Sequence, residues 1–497
     1  MYFKTVRTVD VSCLSFRTGH VTIKIGEFNV HLERGKEDMT SIKQLFAPVD
    51  MTSGSPWKKI AMFTIPMVLG NIAQQLYNTV DSIVVGKFVG DNALAAVGSA
   101  SPIFNLLLVL FIGISVGTSV MVSQYFGAKD RKQLSHAIGT SITLTAIASI
   151  FIMIVGSILV LPLLELLNTP ESIIDWCDSY LTVLMLGIAG VAYYNILSGV
   201  LRGMGDSFSA LIYLLIATVI NIVLDLAFVA GLGLGVFGVA LATVIAQAVS
   251  AICCLLKLMK MKESFDLTME YIKPTKHHSV TMVRLGLPSG LTQAIMSFAM
   301  IIVQSLTNSF GEMFIAANVI IMRVDGFAMM PNMSFGNSMT TFTGQNVGAK
   351  QPERVVKGAK QGTLMAVAVS TTITGLILIF GKYLMGVFTT TQELIELSVN
   401  MMRILAPGYI AVAVTQSLSG VMRGAGDTMT PMWISLFQTV CIRVPIAYGI
   451  SYLTRTPELP TGRSECVFIS LLCSWCLSAL LTFIAYKRGG WKKKAVQ

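Results

Sequence analysis

Asn71, Gln74, Asn78 and Asp81 stand at spacings of 3, 4 and 3 within "PMVLGNIAQQLYNTVDSIVVG". On a helix that spacing puts all four on one face. A second acid, Asp225, follows Asn221 by four residues in "IATVINIVLDLAFVAG", so these two also share a face. Thr243 stands in the next apolar stretch. Two carboxylates, an amide and a hydroxyl make an oxygen-rich set. Such a set suits a hard monovalent cation such as Na+, by the logic that gives hard cations oxygen ligands. It equally suits H+, because two carboxylates close together in a low dielectric resist joint ionisation and titrate as a pair. Further along, Arg323, Asp325, Arg403 and Arg443 also sit deep in apolar stretches. Asp325 follows Arg323 by two residues, so a regular helix turns the two apart. These arginines either satisfy backbone carbonyls and pair locally, or line a cleft as a substrate-binding set with Asp325. No enzymatic constellation is present. His277 and His278 stand in a basic loop and read as solvated residues. The CxxC of Cys473 and Cys476 lies inside an apolar run with no other ligands nearby, which argues against a metal site. No cofactor is expected beyond a coupling ion.

Charges placed in apolar stretches are costly if those stretches cross a membrane, and the composition says they do. The 497 residues are 54% hydrophobic and only 12% charged, with a mean hydropathy of +0.70. An ordinary soluble domain carries about 25% charged residues. Apolar runs long enough to cross a hydrocarbon layer of about 30 Å recur along the chain. They predict twelve transmembrane helices, at about 61–86, 93–121, 136–161, 176–198, 209–230, 235–257, 284–309, 313–341, 358–380, 393–421, 431–452 and 465–486. This is an all-α polytopic membrane protein, and a large soluble enzyme is excluded. The net charge of +10 implies no nucleic-acid partner, because the basic residues sit in short loops. With the N-terminus inside, roughly 22 Lys and Arg fall on the inner side against roughly 4 outside. Both termini are therefore expected in the cytoplasm, with the chain in the plasma membrane.

The loops repeat. "GAK" at Gly127–Lys129 recurs at Gly348–Lys350, Gln124 recurs as Gln345, and "RGMGD" at Arg202–Asp206 recurs as "RGAGD" at Arg423–Asp427, always 221 residues on. Six spans separate the copies. An even number preserves direction, so the two halves are parallel repeats about an axis along the membrane normal, with a central cleft between them. The organisation is an N-terminal cytoplasmic extension (1–56), an N-lobe (57–257), a basic inter-lobe loop (258–283), a C-lobe (284–486) and a basic tail (487–497). At a rise of about 1.5 Å per residue, Asp81, Asp225 and Thr243 fall within roughly 10 Å of one level in the outer half of the membrane. The three arginines fall near mid-depth. The same interval carries Asp81 onto Ile302, Asn221 onto Ile442, Asp225 onto Ile446 and Thr243 onto Ser464. The second copy keeps the loop motifs and drops the acids. The acids therefore serve a task done once.

"IP" at Ile65–Pro66, "VDSIVVGKFVG", "QYFGAKD", "LRGMGD", "NIVLD", "TGQNVGAK", "MRGAGDT" and "IRVPIAY" together resemble the multidrug and toxic compound extrusion (MATE) family, over about Met51 to Tyr486. The resemblance implies two six-helix lobes around a cleft, and H+ or Na+ antiport that expels drugs or metabolites. It implies a cation site from Asp81, Asn221, Asp225 and Thr243, and a bend at Pro66, fifteen residues before the first-helix acid. Asn71, Gln74 and Asn78 would line the cavity. The partners implied are a small-molecule substrate and the lipid bilayer, with the protein monomeric. The acids that another branch of the family carries in helices 7 and 10 have no counterpart here. A lipid-linked sugar flippase of the same superfamily, a major facilitator transporter and a non-transporting receptor or scaffold are the alternatives. The second of these usually carries a later glycine that "GAKDRKQLS" lacks.

Overall fold

The computed structural model describes residues 20–25, 28–33, 48–166 and 169–494. The chain divides into two units, Met1–Ala47 and Pro48–Gln497. In the first, β1 (His20–Ile25) and β2 (Phe28–Glu33) form an antiparallel hairpin with His20 opposite Glu33. The second is a helical bundle. Residues 48–55, grouped by composition with the extension, belong to this bundle.

The helices of the first lobe are α1 (Pro56–Phe88), α2 (Asp91–Ala128), α3 (Arg131–Leu166), α4 (Glu171–Leu186), α5 (Ile188–Gly203), α6 (Ser207–Asp225) and α7 (Gly235–Lys260). A short α8 (Met269–Ile272) lies in the connector. The second lobe holds α9 (Lys276–Asn308), α10 (Glu312–Gly348), α11 (Pro352–Gly386), α12 (Gln392–Leu405), α13 (Gly408–Gly424), α14 (Met429–Leu436), α15 (Val444–Leu453) and α16 (Cys466–Arg488). Among the described residues, nine helices are long and apolar enough to cross a membrane, and counting each bent pair as one span brings the number to eleven. Helix α1 is 33 residues long but carries the polar face around Asn71 and Asp81, which lowers its apolarity. On α3, Ile147, Ile150, Phe151, Ile154 and Ile158 lie on one face and are each 56–69% exposed. In water such a stripe would be a defect; against lipid it is the surface the bundle needs.

Each irregularity has a local cause and mostly recurs in both lobes. The α4–α5 pair bends by 52° at Gly187, and α12–α13 bends by 44° at Ala406–Pro407. Gly187 and Gly408 stand 221 residues apart. A Cβ on Gly408 would strike the Trp475 ring, and one on Gly187 would strike Val244. The duplicated "RGxGD" is a helix stop and restart. Gly205 and Gly426 take φ of 93° and 94°, a region open to glycine at no steric cost. The aspartate that follows caps the next helix. Asp206 accepts from the Ser209 N–H (2.9 Å) and Asp427 from the Thr430 N–H (3.2 Å). Lys257 lies 3.6 Å from Asp206, and Lys494 lies 3.0 Å from Asp427.

The other duplicated motif clasps the lobes. Gln124 Nε2 donates to the Gly424 carbonyl (2.8 Å), and its counterpart Gln345 Nε2 donates to the Gly203 carbonyl (3.1 Å). The backbone of Gly127 lies against the Gln345 carbonyl, and that of Gly348 against the Gln124 carbonyl. Gln345 Oε1 also accepts from the Met51 N–H (3.0 Å), while the Met51 carbonyl accepts from Asn346 Nδ2 (3.1 Å) and Arg354 Nε (3.1 Å). These contacts lie at the end of the bundle that carries the "GAK" loops. The connector is strapped to α3 by Arg131, which donates to Asp266 Oδ2 (2.8 Å) and Oδ1 (2.7 Å). His278, read from sequence as solvated, is 4% exposed. Its Nδ1 pairs with the Thr275 hydroxyl at 2.6 Å, because the connector is shorter than expected and α9 already begins at Lys276.

Candidate functional site

The N-lobe acids come together. Asp81 projects from α1, while Asn221 and Asp225 project from the last turn of α6. Asp81 is 9% exposed, and Asn221 and Asp225 are fully buried. With its amide nitrogen turned toward the carboxylates, Asn221 donates to Asp81 Oδ1 (2.9 Å) and to Asp225 Oδ2 (3.2 Å). One amide thus reaches both carboxyl groups, and each carboxyl group acts on the other. Immediately after Asp225 the chain widens into a π-helical turn, Leu226–Gly231, a distortion often found at functional sites.

The sequence reading missed two groups. Tyr77, one turn before Asp81, is 4% exposed, and Tyr180 of α4 is also buried; both lie in the field of the two acids. Tyr77 was discoverable, since it stands four residues from Asp81 on α1. Tyr180 was not, because nothing in the local sequence ties α4 to α1. The Thr243 hydroxyl on α7 approaches that of Tyr77, yet both oxygens are sealed from solvent without a proper hydrogen bond. Oδ1 of Asp225 is likewise sealed and unpartnered. Among the described residues, no lysine, arginine or histidine acts on either carboxyl group. A cluster with two acids, no counter-cation and three unused oxygens can take up a small cation. No group of three or more metal-ligating side chains occurs among the described residues.

The rest of the α1 stripe divides. Asn71 donates to the Ser334 hydroxyl of α10 at 2.9 Å, which ties the lobes together. Gln74 is half-buried and Asn78 exposed. Helix α1 runs through Pro66 without interruption.

In the C-lobe the four charged residues do not form one lining. Arg323 and Arg403 are exposed. Asp325 of α10 lies close enough to Arg443 to feel its charge and faces the Tyr409 hydroxyl at the start of α13. Arg443 ends a second π-helical turn, Phe437–Arg443.

Two lobes built on a duplicated set of helix stops and clasps, with one buried acid cluster, define a polytopic membrane transporter of the repeat type. The MatE family model matches the chain twice, over residues 66–227 and 288–449, once in each lobe. The chain belongs to the MATE family of transporters. It is 30% identical over 449 residues to "Probable multidrug resistance protein YoeA" of Bacillus subtilis (strain 168), covering 89% of this chain and 96% of that protein. Its fold is similar to that of a MATE transporter solved in a bent conformation (TM-score 0.82, 25% identity, 89% of this chain and 98% of that one). The same transporter family solved in a straight conformation gives a TM-score of 0.82 at 26% identity, over 89% of this chain and 98% of that one.

Proposed function

We propose that this transporter is a cation-coupled antiporter. It expels small drugs or metabolites across the plasma membrane, with both termini in the cytoplasm, and H+ is its coupling ion. The single observation that carries the reading is the Asp81–Asn221–Asp225 cluster: two buried carboxyl groups reached by one amide, with no counter-cation among the described residues. Two carboxylates so placed hold a proton more readily than they hold two charges. The lobes are clasped at the basic end, so the cleft can open toward the other side, where proton loading would take place. Loading and unloading at the pair would then bias which end of the cleft is open, in the manner of any two-state transporter whose states bind the ion unequally.

The test is efflux of a fluorescent substrate from proteoliposomes, with proton and sodium gradients imposed separately. A proton gradient alone should drive efflux. Asp81→Asn and Asp225→Asn should each abolish that drive while Ile302→Val and Ile446→Val, at the apolar counterparts, transport nearly as wild type. Efflux driven by sodium alone would replace H+ with Na+ as the coupling ion. Equal loss at both pairs of positions would overturn the assignment of coupling to the first lobe.

A further inference from the structure

The short segment ahead of α1 touches both lobes. The Val49 N–H donates to the Gly205 carbonyl (3.1 Å), in the helix stop between α5 and α6 of the first lobe. A Cβ on Gly205 would strike the Val49 carbonyl, so the approach is one that a side chain at 205 would block. Two residues on, the Met51 N–H donates to Gln345 Oε1 (3.0 Å), on α10 of the second lobe. The same amide gives its Nε2 to the Gly203 carbonyl. Segment and clasp therefore close on one side chain.

The two attachments are unequal. On the second lobe the Met51 carbonyl accepts from Asn346 Nδ2 (3.1 Å), Arg354 Nε (3.1 Å) and Arg354 Nη2 (2.9 Å). Arg354 also donates to the carbonyls of Ser53 (2.8 Å) and Gly54 (2.6 Å). The Met51 side chain is fully buried in the apolar cluster that holds Phe342 and Val355. Where α1 begins, the Trp57 N–H donates to Gln361 Oε1 of α11 (3.2 Å). On the first lobe, among the described residues, the segment makes one hydrogen bond, to Gly205. The Val49 and Met51 nitrogens can stand at most about 7 Å apart even on fully extended chain. The segment thus has no slack to give. When the lobes part at the basic end, one attachment must let go, and the weaker is Val49 on Gly205.

The helix stop of the second lobe is covered as well, by the C-terminal tail. A Cβ on Gly426 would strike the Lys494 carbonyl, and Lys494 Nζ lies 3.0 Å from Asp427. Both contacts stay within the second lobe, so they do not oppose a parting of the lobes. We propose that residues 48–54 are a latch: they ride on the second lobe and dock on Gly205 only while the basic end is closed. The inference rests on the reading of this protein as an antiporter that opens at its two ends in turn, and it names a segment that sets the balance between those states.

The experiment measures distances between pairs of spin labels on the full chain in lipid nanodiscs, with the native cysteines replaced by alanine. Lys129 with Lys350 reports whether the basic end is closed or open. Ser53, exposed on the segment, is paired with Lys132 of α3 in one sample and with Lys357 of α11 in another. Gly127→Ala supplies an open population. There the Ser53–Lys132 distance should lengthen in the same proportion as Lys129–Lys350, while Ser53–Lys357 keeps a single distance. Val49→Pro removes the N–H given to Gly205 and leaves the Arg354 bonds in place. It should raise the ratio of open to closed about 2- to 10-fold, the scale of one backbone hydrogen bond. Lys494→Ala should leave that ratio unchanged. A lengthened Ser53–Lys357 distance in the open population would overturn the proposal without recourse to the Val49 variant. So would two Lys129–Lys350 distances whose ratio is the same in Val49→Pro as in the wild type, or is moved as far by Lys494→Ala; in these cases the antiport reading stands. A single Lys129–Lys350 distance in every variant would remove the motion itself and reject the latch together with that reading.

Discussion

The clasp at the basic end makes a quantitative prediction about which way the transporter faces. Gly127 and Gly348 each press their backbone on a carbonyl of the opposite lobe, that of Gln345 and that of Gln124. A methyl group on either glycine would meet main-chain atoms, which cannot swing aside as a flexible side chain can. Gly127→Ala should therefore destabilise the clasped state by about 1–3 kcal/mol, the usual cost of overpacking a close contact. With the lobes parted the methyl meets nothing from the other lobe, so that state is spared. At about 1.4 kcal/mol per factor of ten, the balance should shift by roughly 5- to 150-fold toward the state open at the basic end. Gly348→Ala should do the same, because it occupies the mirror position. The double variant should shift further than either single one, up to the sum of the two costs, since both collisions fall on the clasped state and parting the lobes relieves both. Gly326→Ala is the control, because a Cβ there has no neighbour within 4 Å. The assay is the distance distribution between spin labels at Lys129 and Lys350 in nanodiscs, supported by labelling of a cysteine placed in the clasp. Indistinguishable distributions for Gly127→Ala and Gly326→Ala would refute the reasoning.

Two further outcomes are expected. Pro66 has no N–H, so the Met62 carbonyl lacks its helical partner and α1 is weakened there; Pro66→Ala should slow turnover while substrate binding stays near wild type, and unchanged turnover would mean that α1 moves as a rigid rod. Asp206→Ala and Asp427→Ala each remove a helix cap and should lower stability by about 0.5–2 kcal/mol, read as a lower unfolding temperature with the coupling ion unchanged.

The class of the protein, its duplication and its principal acids were all legible in one dimension. Length and apolarity of the runs reflect the thickness of a bilayer, and the 221-residue interval reflects a duplicated unit. Asp81 and Asp225 were visible because a charge in an apolar run is costly wherever it ends up. The bends at Gly187 and Pro407 and the π-helical turns were not marked out, since glycine and proline also occur in spans that stay straight. Tertiary structure alone decided which charges meet. Asp81 and Asn221 are 140 residues apart in the chain and 2.9 Å apart in space, a contact set by how α1 packs on α6. Arg323 and Arg403 looked equivalent to Arg443 by depth, yet they are exposed while Arg443 is half-buried and feels the charge of Asp325. Depth along an axis follows from residue count at a fixed rise, but the direction a side chain faces depends on helix rotation and on the neighbour it packs against. Pattern along one helix gives that rotation only where a polar stripe is continuous. The clasp shows the same division: its residues were legible as a repeat, but that Gln124 reaches the second lobe's Gly424 and Gln345 the first lobe's Gly203 is a property of two surfaces brought together, which no single stretch of chain contains.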